Sequence, residues 1–265
     1  MPLLLALVIW LVSLGLAIPF FTRTWWFPPP ISEHARQVDQ QFMFTLVVTG
    51  IIFVLAQLAL GYVVMRFGRR RAEPARYLHG NNTLEVLWTS ATAVLFIGLT
   101  LMGESVWARV HFMGAPPGAI PIEVTGQQFA WNFRYPGPDG KFGALDIKQI
   151  NDSAGNPLGI DSKDPAGKDD ITTPTIAVPV NRPVELMLRS KDVTHSFFVP
   201  ELRLKQDAVP GMIIRIHFTA DKVGHYEIAC AELCGLGHYK MRSFLDVMEQ
   251  ADYEKWLQQH AAQAQ

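Results

Sequence analysis

The chain has 265 residues, a formal net charge of −1 and 49% hydrophobic side chains, with two cysteines in all. A length of this order suits one or two domains, and so balanced a charge gives no reason to expect a nucleic acid partner. The two cysteines suffice for one disulfide or one pair of metal-ligating thiols, not both, and without a C-x-x-C-H run no covalently attached haem is signalled.

Most of the long apolar runs fall before residue 110, so composition divides the chain into an apolar half and a turn-rich half. Residues 3–21, 43–67 and 84 to about 103, with a semipolar continuation to Val110, each approach the ~20 residues that cross a bilayer core. The first run, within 1–21, reads as an N-terminal transmembrane helix or as a signal segment. No basic residue precedes it, which argues against a signal peptide, whereas the small residues at Gly15 and Ala17 argue for one. Trp25 and Trp26 at the place of an interfacial aromatic belt, followed by Pro28, Pro29 and Pro30, favour a retained span.

The second and third runs are expected to form a transmembrane hairpin over 42–110. Arg66, Arg69, Arg70, Arg71 and Arg76 follow the second run, and the positive-inside bias assigns them to the cytoplasm. Residues 32–41 and everything after residue 111 are then outside. Glu85 opens the third run on the cytoplasmic side. A carboxylate there either sits in headgroup water or faces a protein partner and feeds it protons, and the residues alone leave both readings open. Glu104 reads as an interfacial residue.

After the turn-rich linker Gly114-Ala115-Pro116-Pro117-Gly118, short β-like runs recur at 120–125, 128–135, 175–180, 183–188, 212–218, 224–229 and 242–247. Several alternate apolar and polar residues between Gly, Pro, Asn and Asp, which predicts an all-β sandwich or barrel over 119–250. Residues 251–262 predict an amphipathic helix within a terminal segment, 251–265. Between Pro138 and Pro174 the sequence is polar with little periodicity and reads as a long, solvated surface loop. Its aspartates (139, 146, 152, 161, 164, 169 and 170) outnumber its lysines (141, 148, 163 and 168), a balance that would also help attract a cationic protein.

Both cysteines lie in C-A-E-L-C-G-L-G-H-Y-K-M, residues 230–241. Two thiols, the imidazole of His238 and the thioether of Met241 suit a soft transition metal rather than magnesium or calcium. The short step between the cysteines would close too small a loop for a disulfide to stabilise the chain much. A further ligand has to come from elsewhere, and His195, near a strand edge in D-V-T-H-S-F-F-V-P-E-L, is the candidate. Zinc would be satisfied by two Cys and two His but would leave Met241 unused. Copper takes a methionine as a weak axial ligand. A single blue-copper site needs one thiolate only, whereas two sulfurs bridging two coppers, each capped by a histidine, use every ligand.

On D-V-T-H-S-F-F-V-P-E-L (192–202), D-A-V-P-G (207–211), the loop 230–241 and E-V-L-W-T (85–89), the chain resembles subunit II of haem-copper cytochrome c oxidases. The resemblance covers the second and third spans and nearly all of the β region. It implies a membrane α-helical hairpin, with two or three transmembrane helices in all, followed by an all-β, cupredoxin-like Greek-key domain. It implies a dinuclear copper centre, CuA, in which Cys230 and Cys234 bridge the metals, His195 and His238 are terminal ligands, and Met241 and the main-chain carbonyl of Glu232 complete the set. The Glu232 side chain would reach a magnesium shared with subunit I, and Glu85 would stand at the mouth of a proton path in subunit I.

The same resemblance implies electron transfer from cytochrome c, or from a haem domain of another complex, through CuA to haem in subunit I, where oxygen is reduced and protons are translocated. Further oxidase subunits and membrane lipid are the other implied partners, in a bacterial-type inner membrane with the copper domain on the periplasmic side. Many relatives carry W-Y-W where this chain has Phe129-Ala130-Trp131. Phe129 thus takes the position at which electrons usually arrive, and Trp131 is the remaining indole, so both are candidates. The first apolar run is additional to the usual two-span hairpin. A quinol-oxidase subunit II would lack the copper ligands, a nitrous oxide reductase would need a large preceding domain, and a membrane-anchored copper-binding or copper-delivery protein would need neither the second span pair nor Glu85.

Overall fold

The computed structural model describes residues 1–23, 26–68 and 79–264. Trp25 and the arginines at 69, 70, 71 and 76 lie outside the described residues. Helices α1 (Pro2–Phe21), α2 (Glu33–Phe67) and α3 (Asn82–His111) are each long and apolar enough to cross a membrane. Several of their hydroxyls bond within the helix. Ser13, Thr45, Thr49 and Thr92 each donate to the carbonyl four residues back, at 2.7–3.0 Å, which satisfies a polar group where no water is at hand.

The chain divides into two compact units, Met1–Phe27 with Val38–Ser105, and Pro28–Gln37 with Val106–Gln265. Within the first, α1 and α2 approach closely at Gly61, where a Cβ would fall 2.1 Å from Nε1 of Trp10. Gln41 of α2 donates to the Leu99 carbonyl of α3 at 3.4 Å. Trp26, Phe27 and Phe42 form an aromatic cluster with ring centroids 5.4–5.9 Å apart.

The second unit is built on ten strands among the described residues: β1 (Ile120–Gln127), β2 (Ala130–Tyr135), β3 (Ile171–Thr173), β4 (Ile176–Pro179), β5 (Pro183–Ser190), β6 (His195–Val199), β7 (Leu204–Ala208), β8 (Ile214–Thr219), β9 (Gly224–Cys230) and β10 (Arg242–Met248). They form two five-stranded sheets, ordered β3-β2-β1-β5-β8 and β4-β10-β9-β6-β7. The period-2 alternation places Val184, Leu186, Leu188, Ile216 and Phe218 inward from one sheet and Phe197, Val199, Ile228, Leu245 and Val247 from the other, in one shared core. Helix α4 (Gln250–Ala264) closes one end, with Trp256 edge-on to Tyr135 at 5.2 Å and Tyr253 stacked on Trp256.

The segment before α2 belongs to this unit. Ile31, 2% exposed, takes a hydrogen bond from Asp221 N at 2.9 Å and donates its own N–H to Glu201 O at 3.1 Å. The Ser32 hydroxyl caps the helix start by accepting from Ala35 N at 3.0 Å, and Arg36 pairs with Asp221 at 2.6 Å. Backbone pairing of this kind requires both segments to lie on one side of a membrane.

Residues 138–174 carry more structure than a plain surface loop. Three short 3-10 turns (Ile147–Gln149, Asp152–Ala154 and Pro165–Gly167) precede β3, and Asp146, Asn151 and Asp164 cap them by accepting backbone N–H groups. The base is clamped by Arg134 of β2, 1% exposed. It donates from Nη1 to Glu123 at 2.9 Å, from Nε to Asp170 at 3.0 Å, and from Nη2 to Asp170 and the Gly143 carbonyl. The aspartates therefore serve first as acceptors that order the segment. Such bonding is local and leaves no periodic trace in the sequence.

Candidate metal centre

The loop 230–241 is the β9–β10 connection, and Cys230 N donates to Met241 O at 3.1 Å to close its base. A 3-10 turn, His238–Lys240, brings His238 back over the cysteines, with His238 N bonded to Gly235 O at 3.1 Å. The turn into it needs a left-handed backbone: Gly235 has φ +141°. β6 pairs with β9 in the register Phe197–Cys230, which sets His195 at the same sheet end as the loop.

The six donors named from the sequence converge. Cys230 Sγ lies 3.9 Å from Cys234 Sγ, 4.0 Å from His195 Nδ1 and 3.2 Å from the Glu232 carbonyl oxygen. Cys234 Sγ lies 3.7 Å from His238 Nδ1 and 3.8 Å from Met241 Sδ. The cysteines are free, and His195, Cys230, Cys234 and Met241 are all buried. His195, Cys230 and Cys234 alone form a cluster compact enough to hold a metal ion. Burial, with the neighbouring Cys230, pushes the Cys234 thiol up to about 11. A metal must displace that proton to bind.

This donor chemistry fits copper. Two sulfurs at the centre, an imidazole Nδ1 beside each, and a thioether with a carbonyl at the flanks form a soft, asymmetric set, whereas a hard cation would demand carboxylates. The Glu232 side chain is exposed, outside the cluster to which its carbonyl belongs.

Three residues that the sequence reading passed over shape the site. Asp192 accepts from His195 Nε2 at 2.8 Å, and Gln128 N and Val193 N each donate to it at 2.7 Å. Burial works to raise its pKa, but these hydrogen bonds prevail and hold the carboxyl below its ordinary range. The Gln128 amide donates to the Cys234 carbonyl. Gly126 has to lack a side chain, since a Cβ there would fall 2.8 Å from Cδ2 of His195. The signal for Asp192 was its place three residues before a candidate ligand; no sequence spacing signals Gly126 or Gln128, because their contacts cross strands.

Phe129 and Trp131 part company. Phe129 is 39% exposed and lies over the ligand loop, so close that a Cβ on Gly237 would meet its ring at 2.4 Å. Trp131 is 2% exposed and meets His195 edge-on at 6.0 Å. Around them the loop presents Leu233, Leu236 and Tyr239, each more than three-quarters exposed. Glu85 is exposed in the first turn of α3, which is part of the helical unit.

A two-sheet β domain joined to membrane-type helices, with a buried cluster of soft ligands at one sheet end, defines a membrane-anchored protein of the cupredoxin type. Residues 120–248 match the family model described as cytochrome c oxidase subunit II, periplasmic domain, and residues 22–103 match that of its transmembrane domain. The chain is 36% identical over 256 residues to the alternative cytochrome c oxidase subunit 2 of Bradyrhizobium diazoefficiens, covering 96% of this chain and 91% of that protein. It is 31% identical over 242 residues to cytochrome c oxidase subunit 2 of Cereibacter sphaeroides, covering 88% and 79% respectively. Among solved structures it is similar to the periplasmic domain of subunit II of cytochrome oxidase of Bradyrhizobium japonicum, at 28% identity and TM-score 0.42, over 57% of this chain and 99% of that one. The chain belongs to the cytochrome c oxidase subunit II family. It is thus a component of an enzyme complex with other oxidase subunits, a membrane protein with an outside-facing domain.

Proposed function

We propose that this chain receives electrons from a haem protein outside the membrane, cytochrome c or a haem domain of another complex, and passes them to haem in subunit I. The observation that carries the reading is the convergence of both thiols, both imidazole Nδ1 atoms, Met241 Sδ and the Glu232 carbonyl in one cluster, of which His195, Cys230, Cys234 and Met241 are buried. Cys230 and Cys234 would bridge two coppers, His195 and His238 would cap them, and Met241 and the Glu232 carbonyl would be weak flanking ligands. When bound, such a pair supplies a one-electron redox site whose charge is shared between two metals.

The chain's own part is to hold six donors on a rigid frame. His195 sits on a strand hydrogen-bonded on both sides, and the loop is closed at its base, so little has to move as the charge changes. Phe129, partly exposed over the loop, is the candidate contact for an incoming donor, and Trp131 lies buried against His195. The exposed Glu232 carboxylate is free to reach a magnesium at the subunit I surface. In the proposed placement the copper domain, 119–250, is periplasmic and the spans lie in a bacterial inner membrane.

The full chain loaded with copper should absorb in the near infrared and give the multi-line EPR signal of one electron shared by two coppers. A single-copper or a zinc spectrum would sink the reading. It would favour the membrane-anchored copper-binding alternative. Glu85 is proposed to feed protons to subunit I from the cytoplasmic mouth. Glu85→Ala should slow turnover of the complex several-fold while leaving the copper spectrum as it was, and unaffected turnover would remove Glu85 from the proton path.

A further inference from the structure

We propose that Asp192 is a positioning residue of the metal centre: its carboxylate fixes the tautomer of His195 that turns Nδ1 to the thiols, and it ties the turn carrying Phe129 to that same ligand. The inference rests on the copper reading above for its redox consequence, but its structural half stands on hydrogen bonds alone. His195 is wholly buried, and its two ring nitrogens face different groups. Nε2 lies 2.8 Å from Asp192 Oδ1, and Nδ1 lies 4.0 Å from Cys230 Sγ. An ionised carboxylate only accepts, so the proton must sit on Nε2 and the Nδ1 lone pair is left for a metal.

The other carboxylate oxygen, Oδ2, accepts Gln128 N at 2.7 Å. Gln128 precedes Phe129, and its side-chain amide donates to the Cys234 carbonyl. One carboxylate thus links three parts: the histidine ligand, the turn that carries the exposed aromatic, and, through Gln128, the ligand loop. Lys191 N, bonded to Gly126 O at 3.0 Å, holds the same two segments in register from the neighbouring residue. A negative charge hydrogen-bonded to a ligating imidazole makes that ligand a better electron donor. It therefore favours the oxidised metal and lowers the reduction potential.

A purely structural role has to be separated from this one, because Asp192 also sits in a tight turn in which Ser190 Oγ donates to the Val193 carbonyl. Three variants of the full chain, assembled and copper-loaded, make the separation: Asp192→Asn, Asp192→Ala and Ser190→Ala. The potential of the copper centre should shift upward in Asp192→Asn and further in Asp192→Ala, and copper affinity in Asp192→Ala should fall about 10- to 100-fold, as when a partner behind a metal ligand is lost. Ser190→Ala, which loosens the turn and leaves His195 alone, should hold the parent potential. An unchanged potential in both Asp192 variants, or an equal shift in Ser190→Ala, overturns the redox role.

A second measurement needs no metal. Imidazole 15N shifts of the copper-free chain should show His195 protonated on Nε2 in the parent and a mixture of tautomers in Asp192→Asn. The same single tautomer in both overturns the positioning role. If the parent fails to give a two-copper spectrum, the proposed function falls, and the 15N result still decides what Asp192 does to His195.

Discussion

Replacing Cys234 by Ser should abolish the two-copper spectrum proposed for this chain and leave at most a single-copper signal, with turnover reduced by more than the ~10- to 100-fold typical of losing a mere outer partner of a ligand. The expectation follows from where Cys234 Sγ lies. It is 3.9 Å from Cys230 Sγ, 3.7 Å from His238 Nδ1 and 3.8 Å from Met241 Sδ, so three of the other donors depend on it to meet at one place. A hydroxyl is a harder, shorter and far less polarisable donor that stays protonated, and it cannot stand in as a bridge between soft metals. The fold should survive, because Ser is nearly isosteric and the loop base, Cys230 N to Met241 O, is main-chain. Near-infrared absorption and EPR of the copper-loaded variant make the check. A retained two-copper spectrum would show that the thiol at 234 is not a bridging ligand.

The second large effect concerns stability. Arg134→Met should destabilise the β domain by about 3–5 kcal/mol, the cost of leaving the buried Asp170 carboxylate without its cation. Arg134 is the single cation bonded to Asp170 among the described residues, and it shares Glu123 with Arg189, whose Nη2 lies 2.8 Å from Glu123 Oε1. Burial already raises the Asp170 carboxyl above its ordinary range in spite of Arg134, and removing Arg134 should raise it further. Adding Asp170→Ala to Arg134→Met should recover part of the loss, since an apolar pair costs less than an orphaned charge. Thermal unfolding of the single and double variants measures both; a double variant worse than the single one would mean that the pair acts through packing and not through charge.

The residues of the candidate metal cluster were legible because most of them are close in sequence. Cys230, Cys234, His238 and Met241 fall on one strand connection, and that spacing with that chemistry has few other uses. His195 was reached only by its motif, since nothing in the sequence says that β6 pairs with β9. Gln128 and Gly126 escaped for the same physical reason: each acts on a partner 60 or more residues away in sequence, and register is a property of the sheet, whereas Asp192 acts on His195 only three residues on and was within reach of the motif. Strands β3 and β7 were missed as strands, and β6 was met only as the strand edge near His195. β7, Leu-Lys-Gln-Asp-Ala, is mostly polar and forms a sheet edge, where solvent permits it. The terminal helix and the three apolar helices were readable because helical periodicity and unbroken apolar length are local signals. In the aromatic run, sequence placed two candidates two residues apart, which strand alternation alone would put on one face, yet Trp131 lies on β2 and is buried, whereas Phe129 lies just ahead of β2, outside the strand, and is exposed.

The hydrogen bonds of Ile31 to Glu201 and Asp221 bear on how the molecule is made. The ribosome finishes the short segment before α2 roughly 170 residues ahead of its partners, which at ~5–20 residues per second is a wait of about 10–30 s. Throughout that time Ile31 and Ala35, both buried in the finished protein, have nothing of their own chain to cover them. Completion of the β domain is therefore also the moment at which the segment before α2 is captured, so the last part of the chain to be made fixes the place of a part made much earlier.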